Sequence, residues 1–310
     1  MTASRPPASG TPLPELPKQG SALLRLVDEC SANALSSGAL KAIRTEHIMV
    51  HDAGIPFIVR WVSSLADKEA VLAAPRPAHV SNTKQSGKVS NPFLPPEPAL
   101  TLARIGPQHL CLLNKFPVIA RHLLIVTRDF AEQSTPLDTA DHAALGCVLD
   151  TVGGLGFYNG GTQAGASQRH KHLQWIPDSP LGARLEGLLA GLRGHHHPAG
   201  QACFHPGLHF RHVFIRQQAA LPPAERLHHA MQQACQALQL DAAASPMPAY
   251  NMLANREWLL LVPRSREDFE GISVNALGFA TSLFVRHPGE LSRIREIGPL
   301  AVLRAVAQPL

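Results

Sequence analysis

The sequence predicts an α+β fold. Short runs rich in β-forming residues lie close together with turn residues between them, helical stripes occur in separate blocks, and strict strand–helix–strand units are few. The chain has 310 residues, 45% of them hydrophobic. That suits one large domain or two small ones around a sizeable core.

In chain order, residues 1–20 carry Pro6, Pro7, Pro12, Pro14 and Pro17 with little apolar content and read as a mobile tail, leaving 21–310 as a single domain. Leu23, Leu24, Val27 and Cys30 form a stripe on a helix over 21–43. Gly54-Ile55-Pro56 opens a strand over 57–63, in which Arg60 needs a polar partner. Residues 75–98 hold enough proline, asparagine and glycine to predict a long loop. The runs 109–113 and 122–127, separated by Asn114-Lys115-Phe116-Pro117, read as neighbouring antiparallel strands. A helix over about 140–152 has Ala143, Ala144, Cys147 and Val148 on its stripe and Gly153-Gly154 as its stop. Further helices are expected over 180–193, 222–239 (opened by Pro222-Pro223), 273–284 and 289–307, and strands over 210–216, 250–253 and 258–262. Periodicity shows no internal repeat.

The net charge of +5 fits a small anionic substrate but forms none of the basic blocks of a nucleic-acid binder. No apolar stretch reaches the length of a membrane span, and the N-terminus lacks a signal-peptide core, which predicts a cytoplasmic protein. Five widely spaced cysteines without a CxxC pair predict free thiols. His195-His196-His197, between Gly194 and Pro198, reads as a loop tract without an assigned role.

The most informative stretch is Gly165-Ala166-Ser167-Gln168-Arg169-His170-Lys171-His172-Leu173-Gln174. On a strand, His170, His172 and Gln174 leave one face and Lys171 leaves the other. The small residues before them let backbone N–H groups approach a phosphate. A neutral imidazole with one free nitrogen attacks phosphorus, which makes His172 the candidate nucleophile, His170 its brace and Gln174 the holder of a non-bridging oxygen. An amide at the third position relays no proton, so a transferase is favoured over a hydrolase. Positive charge for the phosphates is available from Lys68, Lys84, Lys88, Lys115 and Arg169. Read alone, an HxH pair also serves as metal ligands or as packing.

Asn159, Gly165-Ala166-Ser167-Gln168 and His170-Lys171-His172-Leu173-Gln174 together resemble the signature of the diadenosine tetraphosphate (Ap4A) phosphorylases, also called ATP adenylyltransferases, of the histidine-triad superfamily. Asn91-Pro92-Phe93-Leu94-Pro95-Pro96, residues 112–117 and 122–127, Tyr250-Asn251-Met252-Leu253, and residues 258–264 and 273–280 resemble the family in the same order, over about 40–290. The resemblance implies a histidine-triad-like antiparallel sheet with packed helices, completed at the site by a C-terminal portion over about 205–290. It implies reversible phosphorolysis of Ap4A to ATP and ADP through an adenylyl-histidine on His172. It implies phosphate contacts from Asn159, Ser167, Gln168 and Gln174 beside Gly165 and Ala166, a substrate-binding Lys68, Asn91 near the adenosine, and Asn275, Ala276, Leu277 and Arg286 as the C-terminal contribution. No tightly bound cofactor is implied, only divalent ions such as Mg2+ accompanying the polyphosphate. The implied partners are Ap4A, ATP, ADP and phosphate, with no nucleic acid and no membrane. Arg169 stands where the family often has proline, and Thr281 where it usually has glycine. Two rival readings are a zinc hydrolase, with His170, His172 and either His122 or His212 as ligands, and a nucleotide sensor without catalysis.

Overall fold

A computed structural model describes residues 13–62, 91–179, 182–193, 196–286 and 288–310. Lys68, Lys84, Lys88 and His195 lie outside the described residues. The fold is α+β. Its helices are α1 (Gly20–Ser36), α2 (Thr139–Val152), α3 (Glu186–Leu189), α4 (Pro223–Ala237), α5 (Pro288–Ile297) and α6 (Pro299–Val306). Its strands are β1 (Thr45–Asp52), β2 (Ile55–Val62), β3 (Thr101–Ile105), β4 (His109–Leu113), β5 (Leu123–Thr127), β6 (Leu155–Gly160) and β7 (His172–Ile176). They continue as β8 (Ala202–Cys203), β9 (Val213–Arg216), β10 (Tyr250–Ala254), β11 (Trp258–Pro263), β12 (Asp268–Phe269), β13 (Ile272–Ser273) and β14 (Ser282–Val285).

Nine strands form one antiparallel sheet in the order β3-β4-β5-β7-β6-β10-β11-β9-β8. The order β4-β5-β7-β6 with α2 between β5 and β6 recurs as β8-β9-β11-β10 with α4 between β9 and β10. The fold is thus a topological duplication that periodicity does not reveal. The equivalent strands β6 and β10 meet at the centre, with Asn159 directly opposite Asn251.

Strand alternation gives the sheet two apolar faces. Leu173, Trp175, Tyr158, Tyr250, Leu259 and Leu261 join one core with residues of α1, α2 and α4. Phe157, Ile176, Leu253, Leu260 and Val262 join a second core, with β2, β14, α5 and α6. The second face is covered in part by a three-stranded sheet, β1-β2-β14, in which β14 runs parallel to β2. This brings the C-terminal segment over the strand that carries the histidines.

Several elements depart from the sequence-based expectations, each for a local reason. Residues 13–19 are not a free tail: Leu16 is buried, its N–H bonds to the Arg104 carbonyl at 2.8 Å, and Glu15 pairs with Arg104. The first helix stops at Ser36, where Ser36 and Ser37 hydroxyls turn back onto the carbonyls of Asn33 and Ala34. The expected helix over 180–193 narrows to α3 plus one 3-10 turn at Ala190–Leu192. The expected helix over 273–284 is a 3-10 helix, Ala276–Ala280, followed by strand β14. The C-terminal helical stretch breaks at Gly298 into α5 and α6. α2 begins and ends as expected, with a capping box between Asp138 and Asp141 and Gly153 at its end.

Candidate active site

β7 presents its side chains to two environments. On the helix-facing side, Lys171 donates to Asp141 at 2.9 Å and to the Pro136 carbonyl at 2.8 Å, and His109 bonds the other Asp141 oxygen at 2.8 Å. Asp141 is 1% exposed. Burial opposes its ionisation, but the His109 bond and the Lys171 charge hold its carboxyl below the usual range. Lys171 therefore faces away from the histidines, as the alternation requires, and anchors the start of β7 to the first turn of α2.

On the other side, the His172 ring is held by its own backbone. Its Nδ1–H donates to the carbonyl of His170 at 2.8 Å. No hydrogen bond from the described residues engages Nε2. Burial, with His170 nearby, pushes His172 down to about 4 despite the supporting carbonyl. At neutral pH the ring is therefore neutral, and the Nε2 lone pair is available. The His172 N–H donates to Gln133 Oε1 at 2.8 Å, and Gln133 Nε2 returns to the carbonyls of Asn159 and His172. Gln133 is 3% exposed, and Tyr158 Oη donates to its carbonyl. Phe93 packs against both rings, its centroid 5.6 Å from His170 and 5.4 Å from His172.

His170 is fixed at both nitrogens. Its Nε2–H donates to the Thr127 carbonyl at 2.8 Å, and Nδ1 accepts from Asn91 Nδ2 at 3.0 Å. Asn91 Oδ1 in turn accepts from the Phe93 N–H at 3.0 Å. Asn91 stands against His170, outside the lining of the neighbouring cavity. The brace on His172 is the His170 carbonyl, while the His170 ring ties the strand to β5 and the Asn91 loop.

A cavity of about 300 Å³ opens beside this strand. Gln174, Asn159, Gly165 and Ser167 line one wall, Asn114, Phe116, Val118 and His122 a second, and Asn275, Leu277, Phe284 and Arg286 a third. Arg60 of β2 lines the same space. Gln174 Oε1 accepts from His122 Nε2 at 2.9 Å, so its amide nitrogen is left for the cavity. Asn159 Oδ1 accepts from Asn251 Nδ2 and from the Ala276 N–H, both at 2.8 Å. Asn251 is held by Arg264, which is 2% exposed and donates to its Oδ1 at 2.5 Å. The C-terminal half thereby orients a side chain of the N-terminal half.

Gly165 is in the left-handed region at φ 88°, and a Cβ there would lie 2.8 Å from the Val274 carbonyl oxygen. Glycine lets the loop before the histidines touch the Asn275 segment. Asn275 caps the 3-10 helix by accepting from the Leu277 N–H at 3.0 Å. Ala166 is buried beneath the loop, Ser167 faces the cavity and Gln168 lies outside its lining. Arg169 pairs with Glu132 at the surface. Thr281 occupies φ 58°, a left-handed position that favours glycine.

Sequence reasoning passed over Gln133 and gave no site role to Asn251, Arg264 and Thr127, although these three lie in segments that resemble the family; only their placement reveals the role. It weighed His122 as a zinc ligand. Here both nitrogens of His170 and of His122 are engaged in hydrogen bonds, and His212 spends its own on the Phe210 carbonyl and the His205 N–H. Among the described residues no group of three His, Cys, Asp or Glu side chains converges as a metal site. His197 bonds the Leu192 carbonyl at 2.8 Å, apart from this cavity.

The chain matches two family models end to end: the Ap4A phosphorylase N-terminal domain over residues 14–186 and the ATP adenylyltransferase C-terminal domain over 206–309. Protein APA1 of Saccharomyces cerevisiae is 26% identical over 297 residues, covering 87% of this chain and 89% of that protein. Diadenosine 5',5'''-P1,P4-tetraphosphate phosphorylase 2 of the same yeast is 26% identical over 243 residues, covering 70% and 75%. The fold is similar to the crystal structure of yeast Ap4A phosphorylase Apa2 in complex with Ap4A, with a TM-score of 0.73 at 21% identity, over 93% of this chain and 97% of that one. By the matched models, which together span both halves of the sheet, the chain belongs to the Ap4A phosphorylase and ATP adenylyltransferase family.

Proposed function

We propose that this chain is a nucleotidyltransferase that phosphorolyses Ap4A reversibly through an adenylyl-histidine. The observation that carries the reading is the His172 ring, buried, neutral and held by a carbonyl at Nδ1 so that Nε2 is its nucleophilic nitrogen. Nε2 attacks an α-phosphorus of Ap4A, the P–N bond forms as the P–O bond to the leaving group breaks, and ATP departs. An oxygen of orthophosphate then attacks the same phosphorus, the P–N bond breaks and ADP leaves, restoring the ring. Nδ1–H stays on the His170 carbonyl throughout and stabilises the charged adenylylated ring. The amide N–H groups of Gln174 and Asn159 and the loop at Gly165–Ser167 take the phosphoryl oxygens as negative charge grows there. Arg286, Asn275 and Leu277 form the C-terminal wall for the nucleotide, and Lys68 contributes charge to the polyphosphate.

The neighbour whose structure holds Ap4A and the relative named as a phosphorylase support this substrate class. Mg2+ enters with the polyphosphate rather than as a resident ion. The reaction partners are Ap4A, phosphate, ATP and ADP, and neither nucleic acid nor a membrane surface takes part. Five free thiols suit the cytoplasm, and among the described residues no helix is long and apolar enough to cross a membrane. A product assay with Ap4A, with and without orthophosphate, tests the reading. ATP and ADP formed only with phosphate, and lost in His172→Ala, support it. AMP and ATP released at the same rate without phosphate would show a hydrolase instead.

A further inference from the structure

The amide of Gln174 can meet a phosphoryl oxygen in two ways, N–H first or oxygen first, and only the first is attractive. Which end points into the cavity is settled by a chain of hydrogen bonds that starts from a group with one possible role. The Phe116 backbone N–H can only donate, and it lies 3.0 Å from Asn114 Oδ1. Asn114 must then turn its Nδ2 to His122 Nδ1, 3.0 Å away, so Nδ1 accepts. The proton of the neutral ring must sit on Nε2, which lies 2.9 Å from Gln174 and requires an acceptor there. Oε1 is therefore turned inward and Nε2 of Gln174 outward. The same construction recurs beside it: the Phe93 N–H fixes Asn91, Asn91 fixes His170, and the His170 Nε2–H ends on the Thr127 carbonyl. There both ends have a single role and agree, which supports the polarity assigned to the first chain.

We infer that Asn114 and His122 form a positioning relay that sets the amide of Gln174 so that its N–H groups face the reacting phosphate. The inference rests on the adenylyl-transfer reading only for its consequence in rate. His122 lines the cavity, but its Nε2–H is spent on Gln174 and its Nδ1 on Asn114. It acts through Gln174, and Asn114 acts through His122.

Nitrogen NMR of the histidine side chains tests the relay in the intact protein. Wild-type His122 should carry its proton on Nε2 alone; a proton on Nδ1 alone overturns the relay without any variant. In Asn114→Asp the carboxylate accepts from both neighbours, so His122 must put a proton on Nδ1. If Nε2 is then bare, Gln174 turns its oxygen to the phosphate, and single-turnover transfer of AMP to His172 should fall about 100-fold, the scale of losing one donor to a developing oxyanion. If His122 is instead doubly protonated, Nε2–H persists and the loss of transfer should be well short of about 100-fold. A bare Nε2 with full rate, or a protonated Nε2 with the large loss, contradicts the relay. Wild-type protein that takes no AMP at all would sink the adenylyl-transfer reading and leave the tautomer result standing.

Discussion

His122, His142 and His172 share one condition: each is pushed down to about 4, with loss of solvent as the main cause, His142 and His172 in the interior and His122 half-buried on the cavity wall. In the unfolded chain each titrates at its ordinary value near 6.5. Between these values the unfolded state binds more protons, so stability rises with pH there and is lost as pH falls from about 6.5 to about 4. Three such groups give a slope of up to about 4 kcal/mol per pH unit. Denaturant melts at pH 7.5 and 5 should therefore show a large loss at pH 5, and variants replacing His142 by an apolar residue should flatten the slope. A stability that stays level from pH 7.5 to 5 contradicts the neutral assignment. His142 is the sharpest probe, because it meets His228 edge-on between α2 and α4, outside the cavity lining, and its Nε2 is buried without a partner among the described residues. At this scale the spacing of the motif marked His172 and Gln174 as candidates on one face of a strand. It could not disclose the tautomers, because donors such as the Phe116 and Ala276 N–H groups are placed by chain segments far from the motif.

At the level of elements, alternation over residues 171–174 did most of the work: it put Lys171 on the Asp141 side and His172 and Gln174 on the other, where Gln174 lines the cavity and His172 is buried outside its lining. Helix α2 was legible because its cap and its glycine stop are local signals. The segment after Ser273 was not, since its pattern of apolar residues suits a helix as well as a 3-10 turn and a buried strand, and pairing with β2 decides between them. Two positions there give tests. Thr281 holds a β-branched side chain at φ 58°, a conformation that costs about 1–2 kcal/mol. Thr281→Gly should raise the melting temperature by a few degrees, worth about 1 kcal/mol; an unchanged or lower value means the threonine side chain compensates. Gly165→Ala should do the reverse. It adds a carbon 2.8 Å from the Val274 oxygen and 2.9 Å from Asn275 Cα. We expect a loss of about 2 kcal/mol in denaturant melts and a rise in KM for Ap4A, since loop and Asn275 segment must part.

The nine-stranded sheet is shared by two similar halves, joined where β6 meets β10, and β14 of the second half also pairs with β2 of the first. Only one half carries the histidines; the equivalent of β7 is Trp258-Leu259-Leu260-Leu261-Val262-Pro263, wholly apolar. The duplication was invisible in the sequence because the halves share topology and burial, not residue types. The second half serves the first through Arg264, Asn251 and the Ala276 N–H, all converging on Asn159. Cut between 193 and 202, each half would expose a full-length sheet edge. The separated halves should be insoluble or unfolded alone and regain Ap4A turnover when co-expressed; two soluble, folded halves would contradict the shared-sheet account. The central claim is the covalent one, and it has a direct test. Protein mixed with Ap4A in the absence of phosphate should carry one AMP on the peptide containing His172, by mass spectrometry under mildly basic conditions, and lose it as ADP when phosphate is added. Turnover of Ap4A with AMP never found on that peptide, or found on another residue, would contradict the account.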